Sequence, residues 1–278
     1  SEAYSLLIRV TRNCPWNHCT FCGMYKTKRF EVRSPEEIKQ DIDAIAALCN
    51  DLKEVSQTLG YDGVINHASA VELINEVPQL NDHQGFAMVY NWLQAGGKTA
   101  FLQDGNSPTM KTHRLVDVLK YLRKTFPSII RMTSYARSKT LTQKKLEELE
   151  AIRIAGLDRL HVGLESGDDD VLKEINKGVT GEEHIEGGQK AMRAGFQLSE
   201  YWMPGLGGKL RWQNHARNTA RVINEINPHY IRSRPLSPRQ GTPLYEEHKR
   251  CELQLLSPNE QLLELKLMVE EFISLKQV

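Results

Sequence analysis

Apolar runs of strand length recur along this chain, and from the second onward they begin about 30 to 40 residues apart. They fall at residues 5–10, 99–103, 129–133, 159–163, 197–202 and 230–234, each followed by turn residues and then by apolar positions at helical intervals. A strand followed by a parallel neighbour needs a crossover of a dozen or more residues, usually a helix. The spacing therefore predicts an α/β fold built on one parallel sheet. A closed eight-stranded barrel takes about 250 residues, whereas this chain of 278 spends a long segment between its first two units. Six units are expected, in a partial (βα)6 TIM-like barrel forming a single domain over residues 1–278.

That long segment, about 61–97, is rich in Asn, His and Glu and shows no strand alternation, which predicts a helical insertion after the first βα unit. Two readings stand for it: a surface decoration, or a cover over the barrel mouth offering groups such as Tyr61, Asn66, His67, His83 and Tyr90. Further on, Ser257-Pro258-Asn259-Glu260 supplies an N-cap, a proline at the first helical position and a glutamate at the third. A closing helix over about 257–276 is expected.

With 36 Lys+Arg against 35 Asp+Glu the net charge is +1, so no bulk field draws the chain to nucleic acid or to an anionic membrane. No apolar run reaches the roughly 18 residues that span a bilayer, and residues 1–10 lack the order of a signal peptide. A cytoplasmic location is the default expectation, with no membrane partner. Five cysteines is an odd number, and three of them fall within nine residues, which suits metal or redox chemistry better than a disulfide scaffold.

Those three, Cys14, Cys19 and Cys22, have the spacing C-x4-C-x2-C and follow the end of the first strand. In a parallel sheet that is the edge where ligands bind. Thiolates so spaced on an irregular loop can converge on an iron–sulfur cube and leave one iron open. Zinc would want a fourth ligand, and His18 adjoins Cys19 too closely to join the same tetrahedron. A plant-type [2Fe–2S] ferredoxin uses the same spacing plus a distant cysteine, and Cys49 lies 27 residues after Cys22. Yet Cys49 repeats with Ile38, Ile42, Ile45 and Leu52 at helical intervals, which reads as a core position; Cys251, isolated, reads the same way.

The loop resembles the cluster loop of the radical S-adenosylmethionine (SAM) superfamily, whose usual spacing is C-x3-C-x2-C with an aromatic before the last cysteine, here Phe21. One extra residue between the first two cysteines is a departure that bears on the subfamily. The likeness continues at successive strand ends. Gln103-Asp104-Gly105-Asn106 stands where the superfamily has a Gly-Gly-Glu-like element, and Thr133-Ser134-Tyr135-Ala136-Arg137 ends the next strand. Gly163-Leu164-Glu165-Ser166-Gly167 is similar to the Gly-Ile-Glu-Ser-Gly element of the branch that includes the methylthiotransferases and the anaerobic coproporphyrinogen oxidase. Met203-Pro204-Gly205 and the turn Gly241-Thr242-Pro243 match that branch as well.

The resemblance implies a [4Fe–4S] cluster on Cys14, Cys19 and Cys22, and SAM bound among Phe21, Asp104, Gly105, Asn106, Ser134, Arg137, Glu165, Ser166 and Met203. It implies reductive cleavage of SAM to a 5′-deoxyadenosyl radical that abstracts hydrogen from a substrate. An external one-electron donor such as flavodoxin or ferredoxin would drive that step. No acid, base or nucleophile is singled out. A second cysteine cluster and a separate tRNA- or cobalamin-binding segment are missing from this sequence, which favours a small-molecule substrate. Tyr25, Lys26, Glu200, Trp202, Arg232 and Arg234 are the candidates to touch it. Carboxylates with aromatics could read a guanine-like base, as in a lyase on a modified nucleobase such as a deazaguanine; the arginines could hold a carboxylate or phosphate. The alternatives are an iron–sulfur electron carrier or sensor without SAM chemistry, and a tRNA-modifying member of the superfamily.

Overall fold

The computed structural model describes residues 2–272. After β1 (Leu6–Arg9), the short strands β2 (Thr11–Arg12) and β3 (Glu31–Val32) pair antiparallel and close off the cysteine loop between them. Three helices follow: α1 (Pro35–Thr58), α2 (His67–Glu76) and α3 (Gln84–Gln94). Strand and helix then alternate through β4 (Thr99–Gln103), α4 (Thr112–Thr125), β5 (Arg131–Ala136), α5 (Ser138–Gln143), α6 (Leu146–Ile154) and β6 (Leu157–Glu165). Beyond these come α7 (Asp169–Glu174), α8 (Gly181–Arg193), β7 (Gln197–Trp202), α9 (Gly208–Ile226), β8 (Tyr230–Ser233), α10 (Pro243–Lys249) and α11 (Pro258–Glu270). Six strands form one sheet in the order β1-β4-β5-β6-β7-β8, every neighbouring pair parallel. The predicted α/β architecture, a six-stranded partial barrel with a helical insertion, is the one observed.

Alternation along the strands sorts side chains onto two faces. Leu6, Ile8, Ala100, Leu102, Met132, Leu160, Val162, Leu164, Leu198 and Trp202 are buried toward the helices, against residues such as Ile38, Leu115, Leu119, Ile152 and Ile223. Each buried Leu or Ile contributes roughly 1.5–3 kcal/mol. The opposite face carries Phe101, Tyr135, His161 and Tyr201, whose rings touch in succession around the barrel interior. At the starting ends of the strands, the Glu2 carboxylate meets His161 Nε2 (3.4 Å), Thr133 Oγ1 (3.4 Å), Ser5 Oγ (2.8 Å) and Arg131 (3.6 Å).

A capping box between Ser34 and Glu37 starts α1, which then runs for 24 residues. At 1.5 Å per residue that is about 36 Å, far longer than a strand of the sheet. The chain therefore emerges beyond the strands' starting ends, and α2 and α3 pack there with α1 around Leu52, Val55, Ala70, Leu73 and Phe86. Trp92 of α3 meets Phe126, just before β5 begins, at 5.3 Å edge to face. The insertion thus lies against the outside and far end of the sheet, and the reading of it as a cover over the mouth is set aside. Helix α11 starts at its own capping box, Ser257 with Glu260; positions 273–276 of the expected tail helix lie outside the described residues. Among the described residues, no helix is long and apolar enough to cross a membrane.

Candidate active site

Asn13 and Asn17 take left-handed conformations, φ 70° and 52°, which only short polar side chains and glycine adopt readily, and so fold the cysteine loop back on itself. The loop is clamped by four hydrogen bonds from three segments. Asn13 N–H donates to Asp104 Oδ2 (2.9 Å), Trp16 Nε1 to the Asn176 carbonyl (2.7 Å), Thr20 N–H to the Ile175 carbonyl (2.9 Å), and the Thr20 carbonyl accepts from Leu244 N–H (3.2 Å). Cys14, Cys19 and Cys22 are thereby held as free, part-buried thiols at the carboxyl edge of the sheet. Among the described residues no His, Cys, Asp or Glu group converges as the ligands of a single metal ion would. A cluster, which takes each thiolate on a different iron, needs no such convergence.

Cationic groups surround these thiols. Burial pushes the Cys19 thiol up, and the charges of Lys177 and Arg137 offset only part of that rise. The Arg137 guanidinium, its own pKa lowered by burial, lies over the Trp16 ring at 5.1 Å and donates to the Lys177 carbonyl (2.7 Å). Lys177 is nearly buried, and its Nζ meets Glu165 Oε1 at 3.1 Å. Gly163 makes room for that pair: a Cβ there would collide with Glu165 Oε1 and come within 3.0 Å of Lys177 Nζ. Glu165 itself follows a bulge in β6 and holds a left-handed φ of 63°, a backbone cost that persists only where surrounding contacts enforce it. Two such contacts reach its carbonyl, from Met203 N–H (3.0 Å) and from His215 Nε2 (3.4 Å). The donor set fits a cluster and SAM: three thiols for iron, cations to offset an anionic cluster, and a carboxylate with a lysine and an arginine beside it to meet an amino acid's charged end.

Several candidate residues sit elsewhere than expected. Ser134 pairs in register with Leu102 and Leu160, so it faces the helices, where its hydroxyl is taken up by the carbonyls of Leu102 (3.4 Å) and Tyr135 (2.9 Å). Asn106 is buried, and its amide is spent on Thr109, Thr140 and the Arg137 N–H. Ser166 Oγ is buried and accepts from Asp168 N–H. All three organise the strand ends instead of facing the cavity. Phe21 and Met203 pack with Val171, Leu172, Ile175 and Leu206 beside the loop. Asp104 and Gly105 back directly onto the cysteine loop: Asp104 also pairs with Arg9 (3.7 Å), and Gly105 lies against Cys14, Asn13 and Tyr25.

Tyr25 belongs to the cysteine site: burial, then the neighbouring Asp104, Cys14 and Cys22, push its phenol up to about 12. Lys26 donates to the Asn17 carbonyl (3.0 Å) and so braces the loop. Trp202 is packed in the main core, and Glu200, in register with core Val162, faces the same helical side. There the Glu200 carboxyl has no hydrogen-bond partner among the described residues, and burial pushes its pKa well above the usual range. The inward residue of this strand is Tyr201. Lys177 escaped the sequence reading because one lysine in a loop carries no periodic signal; its only trace is its place twelve residues after Glu165.

Fold and site define an enzyme class with a thiol-rich, cation-lined centre at the carboxyl edge of a parallel partial barrel. Residues 8–210 match the radical SAM superfamily, and the chain belongs to it. That superfamily uses a [4Fe–4S] cluster and SAM for radical chemistry. Similar solved structures include an N-terminally truncated Elp3 from the archaeon Methanocaldococcus infernus (17% identity, TM-score 0.53, 66% of this chain and 48% of that one). Methylornithine synthase, PylB, aligns at 15% identity and TM-score 0.55 over 96% of this chain and 62% of its own. Coproporphyrinogen III oxidase, HemN, from Escherichia coli aligns at 16% and 0.54 over 97% and 51%. At these identities the likeness is one of fold, and the chain spans 62% or less of each of those chains. No curated protein matches it.

Proposed function

We propose that Cys14, Cys19 and Cys22 hold the [4Fe–4S] cluster and that Arg137, Lys177 and Glu165 form the SAM site beside it. The carrying observation is the buried Glu165–Lys177 pair, with Arg137 and Cys19 in its immediate field. When bound, the cluster and SAM supply one-electron cleavage chemistry that ends in hydrogen-atom abstraction from a substrate. The chain's own residues do the rest. Arg137, held over the Trp16 ring, can take a carboxylate. Lys177 fixes one oxygen of Glu165, leaving the other for an ammonium or a hydroxyl. Phe21, Met203 and their apolar neighbours exclude water from one side. An external one-electron donor, a flavodoxin or ferredoxin, would supply the electron, and a small molecule would occupy the barrel interior. The nucleobase-lyase reading draws no support from Glu200 and Trp202, which face the helices.

Anaerobic reconstitution of the full chain tests this. Dithionite should yield SAM-dependent 5′-deoxyadenosine, and Cys14→Ala, Cys19→Ala and Cys22→Ala should each lose both the brown chromophore and that product. A wild-type protein that takes up and gives back electrons yet neither binds SAM nor releases 5′-deoxyadenosine would be an electron carrier and would refute the reading.

A further inference from the structure

The inward face of the sheet has a composition of its own. Phe101 meets Tyr135 at 5.0 Å, His161 lies 6.0 Å from Tyr135, and Tyr201 lies 5.7 Å from His161, so four rings cross four adjacent strands. Tyr135 is 41% exposed although it stands mid-sheet, which leaves the wall open to a ligand. Arginines ring this wall, and most are spent. Arg9 pairs with Asp104 (3.7 Å), Arg131 with Glu2 (3.6 Å), and Arg159 donates to Gln197 Oε1 (2.8 Å) and lies over Tyr230 (4.4 Å). Arg232 and Arg234 differ. Among the described residues neither forms an ion pair with a carboxylate, Arg232 lies over the Tyr201 ring at 5.6 Å, and the Tyr135 phenol feels both charges. Glu2, whose charge the Tyr135 phenol also feels, is already engaged by His161, Ser5 and Arg131.

We infer that the barrel interior binds a planar substrate carrying an anionic group, carboxylate or phosphate, with Arg232 and Arg234 on the anion and Tyr135 and Tyr201 against the plane. Arginine's rigid fork matches either anion with two parallel hydrogen bonds, and ring faces favour a flat partner over a branched aliphatic one. Two guanidinium groups left without a counter-charge beside an aromatic wall are otherwise only a mutual repulsion. The inference rests on the substrate lying in the interior of this radical SAM barrel, but its test does not depend on turnover.

Saturation-transfer NMR and titration of the cluster-reconstituted full chain would use three matched probes: benzoate, phenyl phosphate and neutral benzamide. One or both anions should bind more tightly than benzamide. The double variant Arg232→Gln/Arg234→Gln should weaken the anions by roughly ten- to a hundredfold while leaving benzamide alone. A preference for benzoate would assign a carboxylate, and one for phenyl phosphate would assign a phosphate. Arg232→Lys, which keeps charge but loses the fork, should recover part of the affinity, and Tyr201→Leu should weaken all three probes. Failure of both anions to bind, or unchanged anion affinity in the folded double variant, would overturn the inference. SAM binding, measured by calorimetry on the same sample, reports separately: its absence would sink the cofactor assignment and leave the anion result standing.

Discussion

Glu264 sits on α11, a helix that otherwise exposes Leu262, Leu263 and Leu265, yet its own side chain is fully buried. One oxygen meets His215 Nδ1 at 2.8 Å, and the other accepts from Gly205 N–H at 2.6 Å. His215 in turn reaches the carbonyl of Glu165 at 3.4 Å. Helix α11 is thereby tied through α9 to the strained Glu165, in the proposed cofactor site, and to the Met203–Gly205 turn beside it. Glu264→Ala removes the partner of a buried histidine and leaves the Gly205 N–H unbonded. Breaking a buried pair costs about 3–5 kcal/mol, and a buried orphaned N–H about 1–3 kcal/mol. The two overlap, so about 4 kcal/mol is expected, a large share of a total stability of about 5–15 kcal/mol. At roughly 2–4 °C per kcal/mol the melting temperature should fall by about 10 °C. Urea unfolding followed by circular dichroism, with the slope compared between variants, measures the difference. Removing both partners together with His215→Phe/Glu264→Leu should recover most of the loss, short of the Gly205 N–H. Calorimetry should show weaker SAM binding in Glu264→Ala at a temperature where it is still folded. A Glu264→Ala protein within 1 kcal/mol of wild type, with unchanged SAM affinity, would refute the tie.

Three further outcomes are expected. Gly163→Ala should keep the fold but displace the Glu165–Lys177 pair, lowering SAM affinity by about ten- to a hundredfold in calorimetry. Cys49→Ala should retain the cluster absorbance, because Cys49 is packed against the core on α1 with its thiol pushed up to about 11 by burial; loss of the chromophore in a folded protein would make it a ligand. Burial raises the Glu2 carboxyl, but hydrogen bonds from His161 and Ser5 and the charge of Arg131 outweigh it and lower the pKa from an ordinary 4.5 to about 2. A depressed carboxylate stabilises the fold above its unfolded pKa. The stability difference between wild type and Glu2→Gln should therefore be constant above about pH 5, near 2–3 kcal/mol, and shrink as the pH falls toward 2. Acid-unfolding curves that stay parallel throughout would exclude this.

The sheet was legible because its strands obey one rule: a short apolar run followed by a helix. Two of the six, at 99–103 and 197–202, have the bounds read from sequence. The third begins and ends later, at Arg131–Ala136, since Ile129 packs in the core as part of the incoming turn and Ile130 is exposed. The cysteine loop was legible from spacing, because thiols so close together have few other uses. Lys177 was not, since it reaches Glu165 from the loop between α7 and α8, and loop geometry leaves no period in the sequence.

The parity of β7 shows the physical limit most clearly. The stretch Leu198-Ser199-Glu200-Tyr201-Trp202 reads with either face inward, and a glutamate beside a tryptophan suggests a ligand-binding face. Register decides otherwise. Leu198 stands beside Leu160 and Glu200 beside Val162, all directed at α8 and α9, so the polar residue is the one in the dry layer and Tyr201 is the one in the cavity. Burial raises the pKa of that carboxyl, which favours its neutral form and so replaces the large cost of a buried charge with the smaller one of a polar group left without a partner among the described residues. The nearby Lys177, drawn toward Glu165, does not reach it. Substitution Glu200→Gln should consequently be almost neutral for stability, whereas Glu165→Gln, which removes the charge Lys177 needs, should not. Equal destabilisation by the two in urea titrations would show that Glu200 is ionised after all and that Lys177 is shared between them.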